Sequence, residues 1–69
     1  MDRVSIRSSN IESVGYDGDS ETLEIEFGNG VYQYSGVPEV IHSGLMKASS
    51  AGRYFHKNIK DKYVDVKVM

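Results

Sequence analysis

The 69-residue chain contains no cysteine and no long run of apolar residues. Without cysteine it can form neither a disulfide nor a thiolate metal site, so we expect an intracellular or redox-indifferent protein. No apolar run approaches the roughly 20 residues of a membrane-spanning helix, and the start Met1-Asp2-Arg3-Val4 has no signal-peptide core. The sequence therefore predicts a soluble, cytoplasmic protein with no membrane contact.

Side chains suited to catalysis are also scarce. His42 and His56 are the only groups that titrate near neutrality, and no cysteine is present as a nucleophile. His42 and Ser43 are neighbours on a predicted helix, so they point to different faces and do not form a triad. Two histidines do not make a structural zinc site, and Asp17-Gly18-Asp19 lacks the later glutamate of a calcium loop. We predict no enzyme activity, no metal and no cofactor.

The charge is unevenly distributed along what we predict to be one domain, residues 1–69. Residues 1–45 hold eight acidic and two basic side chains (2 − 8 = −6), whereas residues 46–69 hold six basic and two acidic ones (6 − 2 = +4). Such an asymmetry is typical either of a face that binds a polyanion or of two halves that attract each other. Composition alone favours the second interpretation.

A hairpin organises the middle of the chain. Leu23, Ile25 and Phe27 alternate with polar residues, which predicts a strand with one apolar face. Asn29-Gly30 suits the two positive φ angles of a type I′ turn. A two-residue loop there would pair Phe27 with Tyr32 and Ile25 with Tyr34, and both tyrosines would join the apolar face.

A second register is open. A three-residue loop over residues 28–30 would pair Phe27 with Val31 and turn Tyr32 and Tyr34 toward the side that carries Glu24 and Glu26. We favour the first register because it buries the two rings and leaves the intervening glutamine in water. The two tyrosines are then mainly structural.

The remaining elements follow from periodicity and turn residues. Residues 11–17 predict a strand in which Gly15 marks a bulge or a close approach of another backbone, and residues 17–20 predict a turn. Two helices follow, one opened by Pro38 and one capped by Ser49 or Ser50. Their predicted apolar positions are Val37, Val40, Ile41, Leu45 and Ala48 in the first, and Ala51, Phe55 and Ile59 in the second.

The predicted fold class is therefore α+β, a three-stranded antiparallel meander over residues 11–36 with two C-terminal helices packed on one face. Alternation around Val4 and Ile6, and again at Val64, Val66 and Val68, allows an extra strand at each end of the chain.

The second helix carries the best candidate for a binding surface. Arg53, Lys57 and Lys60, flanked by His56, form a basic stripe beside the apolar one, and Tyr54 offers a ring for stacking. Cations neutralise phosphates and rings stack on unpaired bases, so these five residues are the predicted nucleic-acid site.

Taken together, the residues resemble the KTSC domain family, which is named for the C-terminal domain of some lysyl-tRNA synthetases and also occurs as free-standing bacterial proteins. The resemblance extends over nearly the whole chain, and the family's central tyrosine-x-tyrosine motif corresponds to Tyr32 and Tyr34. The other matching pieces are Ser8-Ser9-Asn10-Ile11, Val14-Gly15-Tyr16-Asp17, Phe27, Gly30, Val37-Pro38, Ser50-Ala51-Gly52-Arg53-Tyr54-Phe55, Ile59 and Tyr63.

This resemblance implies a domain of unknown function, with RNA binding suggested by its attachment to a synthetase. We therefore predict a small non-catalytic binding module with RNA as the leading partner, bound through the basic helix. The alternative is a module that binds another protein or a second copy of itself through a sheet edge, for which the strand-prone residues 64–68 are the candidate.

Overall fold

The described residues form five strands and two helices, in the order that the pattern of apolar residues indicates. The computed structural model describes residues 1–8 and 10–69, so Ser9 of the quoted motif lies outside the described residues. The strands form one antiparallel sheet in the order β1-β2-β3-β4-β5. The elements are β1 (Val4–Ser5), β2 (Ile11–Asp17), β3 (Thr22–Phe27), β4 (Gly30–Tyr34), α1 (Glu39–Lys47), α2 (Ala51–Asn58) and β5 (Asp65–Lys67).

The α+β class is confirmed, and the sheet is larger than the three-stranded meander. The predicted meander corresponds to β2, β3 and β4, and each terminal segment adds one short edge strand. β1 pairs with β2, whereas β5 pairs with β4. The last strand therefore extends the sheet beside β4 and does not pair with the first strand.

Both helices contribute to an apolar core on one face of the sheet. The predicted stripe of Ala51, Phe55 and Ile59 is buried, as is Leu45 of α1. Val40 was expected on the apolar face of α1 but is 69 % exposed, because the core contacts of α1 come from residues further along the helix. The core consists of Ile11, Val14, Leu23, Ile25, Tyr34, Val37, Leu45, Ala51, Phe55 and Ile59.

The hairpin between β3 and β4 has a different register from either predicted one. Phe27 pairs with Gly30 and Ile25 with Tyr32, so the two-residue loop is Gly28-Asn29 rather than Asn29-Gly30. A type I′ turn is also wrong, since neither loop residue has a positive φ. Gly30 instead takes its φ of +148° as the first residue of β4, where a side chain would meet the Met69 carbonyl oxygen.

The predicted side for the two tyrosines is nevertheless right. The observed register is shifted by two residues, and a shift of two keeps every side chain on its face. Tyr34 is buried in the core and Tyr32 packs against it, whereas Gln33 pairs with Glu24 on the opposite face.

β2 contains a bulge, but not at Gly15, where the close approach of another backbone is what occurs. The pairing shifts between Ile11 and Ser13, which leaves Glu12 as a bulged, exposed residue and brings both Ile11 and Val14 to the core. Gly15 itself lies under the N-terminal segment, where an added Cβ would come within 2.7 Å of the Asp2 carbonyl oxygen.

The outer face of the sheet, opposite the helices, holds a polar network that the sequence did not reveal. Arg3 donates hydrogen bonds from Nε to Ser13 at 2.9 Å and from a terminal nitrogen to the Glu24 carboxylate at 2.5 Å. Gln33 donates to the other Glu24 oxygen at 2.8 Å. Glu24 is only 6 % exposed, and the Gln33 amide followed by Arg3 lowers the pKa of its carboxyl.

Candidate nucleic-acid interface

Basic side chains lie along one face of α2, from its first turn to its last. Arg53, His56 and Lys57 lie at helical spacings of three and four, so they share one exposed face. The helix begins after Ser50, whose hydroxyl accepts a hydrogen bond from the Arg53 backbone N–H at 3.3 Å. With no acidic residue in the first turn, the positive end of the helix dipole adds to this charge.

A segment from the start of the chain completes the same surface. The Ser8 hydroxyl accepts hydrogen bonds from the backbone N–H groups of Asn10 at 3.3 Å and Ile11 at 3.4 Å, which fixes the chain before β2. Asn10 packs closely on α2, since a Cβ at Gly52 would lie 3.2 Å from its amide nitrogen. This contact brings Arg7 beside the helix.

Together these residues enclose an open depression of about 650 Å³, here called the cationic depression. None of its described lining residues is acidic. It is lined by Arg7, Ser8, Asn10, Ser49, Ser50, Ala51, Gly52, Arg53, His56 and Lys57. Three permanent positive charges and one histidine line this surface together with the first residues of α2, and this combination is suited to an anion.

Beside the cationic depression lies a second recess of about 380 Å³, here called the aromatic pocket. Its wall is a cluster of rings in which Phe55 meets Phe27 edge-on at 5.2 Å and Tyr34 edge-on at 5.6 Å between centroids. Tyr32 extends the cluster by an edge contact to Phe27 at 5.7 Å. The other lining residues are Asn10, Ile11, Asn29, Gly52, His56, Lys60, Asp61 and Asp65.

The two recesses are adjacent, and together they are here called the groove. Asn10, Gly52 and His56 line both of them. Cationic side chains surround one end of the groove and aromatic rings form the other. An anionic group and a flat apolar group that are joined by a short linker can therefore be held at the same time.

The aromatic pocket also has a defined hydrogen-bonding character. Burial raises the pKa of Tyr34 to about 12, with Asp65, Tyr32 and Asp61 adding to the shift, so its hydroxyl remains a donor even in moderately alkaline solution. The carboxylates of Asp61 and Asp65 are acceptors on the same rim. These charges disfavour a phosphate in the pocket and leave it to the cationic depression.

His42 lies apart from the groove. Its ring stacks on Tyr16 with centroids 4.5 Å apart, and the Tyr16 hydroxyl donates to the Val37 carbonyl at 2.6 Å. Burial lowers the pKa of His42, and among the described residues its Nδ1 has no hydrogen-bond partner. No group of three or more potential His, Asp or Glu metal ligands occurs in the part of the chain that the structure describes.

The family model of the KTSC domain matches residues 7–63, which is most of the chain. The chain belongs to the KTSC domain family. The crystal structure of a KTSC domain protein from Yersinia pestis superposes with a TM-score of 0.97 at 46 % identity, over 99 % of this chain and 97 % of that one. An uncharacterised protein of Stutzerimonas stutzeri is 39 % identical and covers 91 % of this chain and 90 % of its own length.

Lysine–tRNA ligases of two bacterial species named below contain a segment that is similar to this chain. That of Trichormus variabilis is 43 % identical over 77 % of this chain, and the match covers 10 % of the ligase. That of Nostoc punctiforme is 41 % identical over the same shares. The KTSC domain thus corresponds to a small part of these enzymes, and it is itself a small domain of uncharacterised function.

Within this KTSC domain the predicted site residues separate into two groups. Arg53, His56 and Lys57 line the cationic depression, and Lys60 joins His56 at the aromatic pocket. Tyr54 is elsewhere: it packs against the core, and its ring and hydroxyl lie against Gly44 of α1.

Some lining residues of the KTSC domain's groove were not predicted from the sequence, and Tyr32 and Tyr34 were predicted to be mainly structural. Arg7 and Asn10 precede β2, far from α2 in the sequence, and no local pattern connects them to the helix. The family motif residues Tyr32 and Tyr34 are core residues as predicted, and they also line the aromatic pocket. Among the described residues, neither helix has the length and apolar composition to cross a membrane.

Proposed function

We propose that this domain is a non-catalytic module that binds single-stranded RNA in the groove, with phosphates on the cationic depression and an unpaired base in the aromatic pocket. The observation that carries the proposal is that Asn10, Gly52 and His56 line both recesses, so the cationic and the aromatic surfaces lie side by side. A nucleotide has this same combination of a charged phosphate and a flat ring.

The charge of the groove supports the phosphate part of the proposal. Arg7, Arg53 and Lys57 line a depression without acidic neighbours among its described lining residues, although the whole chain has a net charge of −2. Each phosphate that such a cation neutralises releases a bound counterion, so affinity falls as salt rises. A local field of this kind acts within about 10 Å at moderate salt, and the total charge matters less at that distance.

The aromatic pocket supports the preference for single strands. A base inside a duplex is stacked on its neighbours and does not reach a recess of about 380 Å³ lined by four rings. Stacking of one base on an aromatic side chain contributes about 1 to 3 kcal/mol. The Tyr34 hydroxyl and the carboxylates of Asp61 and Asp65 supply one donor and several acceptors for base edges.

The relatives add a biological context. The ligases that contain the related segment are named for tRNA, and a domain attached to such an enzyme has RNA in its surroundings. Attachment to such an enzyme does not by itself show what the domain binds, so the residues of the groove carry the proposal.

Fluorescence anisotropy with labelled RNA tests the proposal. The groove variant Arg53→Gln with Lys57→Gln removes two charges from the depression, and the matched control Lys47→Gln with Lys62→Gln removes two exposed charges that do not line it. We expect the groove variant to lose at least about tenfold in affinity and to reduce the salt slope by about two between about 50 and 200 mM salt. Equal losses in the two variants would show that binding is unspecific attraction.

A second variant separates the base from the phosphates. Tyr32→Leu keeps apolar bulk and removes the ring that faces both Phe27 and the pocket. Its affinity for a single-stranded oligomer should fall by about 5- to 100-fold with an unchanged salt slope, in line with the loss of one stacked base. A hairpin of the same composition should bind more weakly than the single strand to the parent protein. Thermal unfolding of each variant checks that the fold is intact.

A further inference from the structure

The strand β5 leaves one long side of the sheet without a partner in the described chain. The Val64 carbonyl accepts from the Ser35 N–H at 2.9 Å, and the Val68 N–H donates to the Val31 carbonyl at 2.8 Å. Because peptide groups of successive strand residues point to opposite sides, the N–H and C=O groups of Asp65 and Lys67 point away from β4. They form an unpaired edge with two donors and two acceptors.

The sequence of this edge is complementary to itself. In Val64-Asp65-Val66-Lys67-Val68, an acidic and a basic residue stand symmetrically about Val66. When a second copy runs antiparallel with the two Val66 residues opposite each other, Asp65 of each copy stands opposite Lys67 of the other. Each of these two pairs joins opposite charges across the strands.

The hydrogen bonds require this same register. In an antiparallel pair, the residues that exchange hydrogen bonds must be those whose peptide groups point outward, which here are Asp65 and Lys67. A slip of two residues in either direction keeps the hydrogen bonds. It places Asp65 opposite Asp65 of the other copy, or Lys67 opposite Lys67 of the other copy, and like charges in that position repel. One register alone satisfies both conditions.

The side chains of the edge favour burial as well. Val64, Val66 and Val68 are 72 %, 57 % and 42 % exposed, and they share the outer face of the sheet with buried Val31. In the symmetric register Val66 meets its copy, and Val64 meets Val68 of the other chain. Natural sheets commonly block an edge with charges of one sign. Here Asp65 and Lys67 have opposite charges, and each stands opposite the other in a second copy.

We propose that β5 is a self-association edge, through which two copies of this chain join their sheets in an antiparallel, two-fold symmetric dimer centred on Val66. The two-fold axis is perpendicular to the joined sheet, so both helix layers lie on the same side. Asp65 also lines the aromatic pocket, and the two pockets therefore lie on either side of the dimer axis. The edge is short, and the dimer is a weak one that forms at high protein concentration.

Sedimentation equilibrium with charge-reversed variants tests the register. Asp65→Lys places two lysines opposite each other in the homodimer, and Lys67→Asp places two aspartates opposite each other. We expect each variant alone to weaken self-association by at least about tenfold, and an equimolar mixture to regain it as a heterodimer because opposite charges then face each other. The double variant with both reversals should dimerise like the parent.

The matched controls are Asp19→Lys in the turn after β2 and Lys47→Asp at the end of α1, which make the same charge changes away from β5. They should associate like the parent. A parent chain that sediments as a monomer up to about 1 mM overturns the proposal, as does a mixture of the two reversed variants that stays monomeric. Thermal unfolding checks that each variant is folded. Because no RNA is present, the outcome does not depend on whether the domain binds RNA.

Discussion

Replacing Gly15 by alanine should detach the N-terminal segment from the outer face of the sheet. The new methyl group would lie 2.7 Å from the Asp2 carbonyl oxygen and 3.1 Å from Cγ of Arg3. The first contact is with backbone, which cannot rotate away, so the segment has to move. Arg3 then loses the geometry of its hydrogen bonds to Ser13 and Glu24.

The expected cost follows from these contacts. Inserting a methyl group into a packed site costs about 1 to 3 kcal/mol, and a hydrogen bond to a charged group contributes about 1.5 to 3 kcal/mol. The two estimates describe one displacement and do not add, so we expect Gly15→Ala to cost about 2 to 3 kcal/mol. A chain of 69 residues has a total stability of about 3 to 10 kcal/mol, so the loss is large.

Urea unfolding with a double-mutant cycle measures the effect. Arg3→Gln alone should cost about 2 kcal/mol, and the combination with Gly15→Ala should cost at least 1 kcal/mol less than the sum, since both act through the same contact. Gly18→Ala is the matched control, because its new Cβ makes only an ordinary 3.7 Å contact with the Tyr16 ring. It should change stability by no more than about 1 kcal/mol.

The free energy of unfolding measured at decreasing pH gives a second readout. The pKa of the Glu24 carboxyl is lowered by the Gln33 amide and then by Arg3, so its contribution is present above the ordinary value of 4.5 and is lost as pH falls through the folded-state pKa. Gly15→Ala should make this loss on acidification smaller. Two results would show that the N-terminal segment is not anchored through Arg3. One is a variant with the parent's free energy of unfolding and the parent's loss of stability at acidic pH. The other is a double variant whose cost equals the sum of the two single costs within about 0.5 kcal/mol.

Two further predictions concern the helix side of the molecule. Gly44→Ala should lower the free energy of unfolding in urea by about 1 to 3 kcal/mol, because the new Cβ would overlap the Tyr54 ring. This loss is expected although alanine favours a helix more than glycine does. A stabilised variant would contradict the close packing of Gly44 and Tyr54. Stability should also fall as pH rises from about 10 toward 12, because the folded state raises the pKa of Tyr34 to about 12 and resists its ionisation. Tyr34→Phe should remove most of this alkaline decline, and an unchanged decline would assign it to other groups.

The face of the sheet on which a side chain lies was easier to predict than the residue-to-residue pairing of β3 and β4. The alternation of Leu23, Ile25 and Phe27 determined which side of β3 is dry, and the same parity placed Tyr32 and Tyr34 correctly. The loop could be either Gly28-Asn29 or Asn29-Gly30, because both contain a glycine and their registers differ by two residues. The deciding contacts come from the end of the chain, where Met69 and Lys67 approach Gly30. No local pattern contains that information.

The candidate site was predictable only where it lies on one element. Arg53, His56 and Lys57 follow from helical spacing, since one face of a helix can be read from the sequence. Arg7 reaches the same depression through the packing of Asn10 on Gly52, a contact between segments far apart in the chain. Tyr54 shows the converse: it lies beside basic residues in the sequence, but its position on α2 turns it toward α1.

The charge asymmetry of the sequence now has a geometric explanation. Among the described residues, the single salt bridge joins Arg3 to Glu24, both within the acidic part, so no ion pair ties the acidic part of the chain to the basic part. Glu24 and Glu26 project from the outer face of the sheet, whereas the cationic depression lies at α2 on the opposite side. Glu24 and Glu26 thus lie away from the cationic depression, whereas Asp61 and Asp65 line the aromatic pocket on the helix side. A polyanion that binds as proposed would meet the positive field of the cationic depression, although the chain as a whole is acidic.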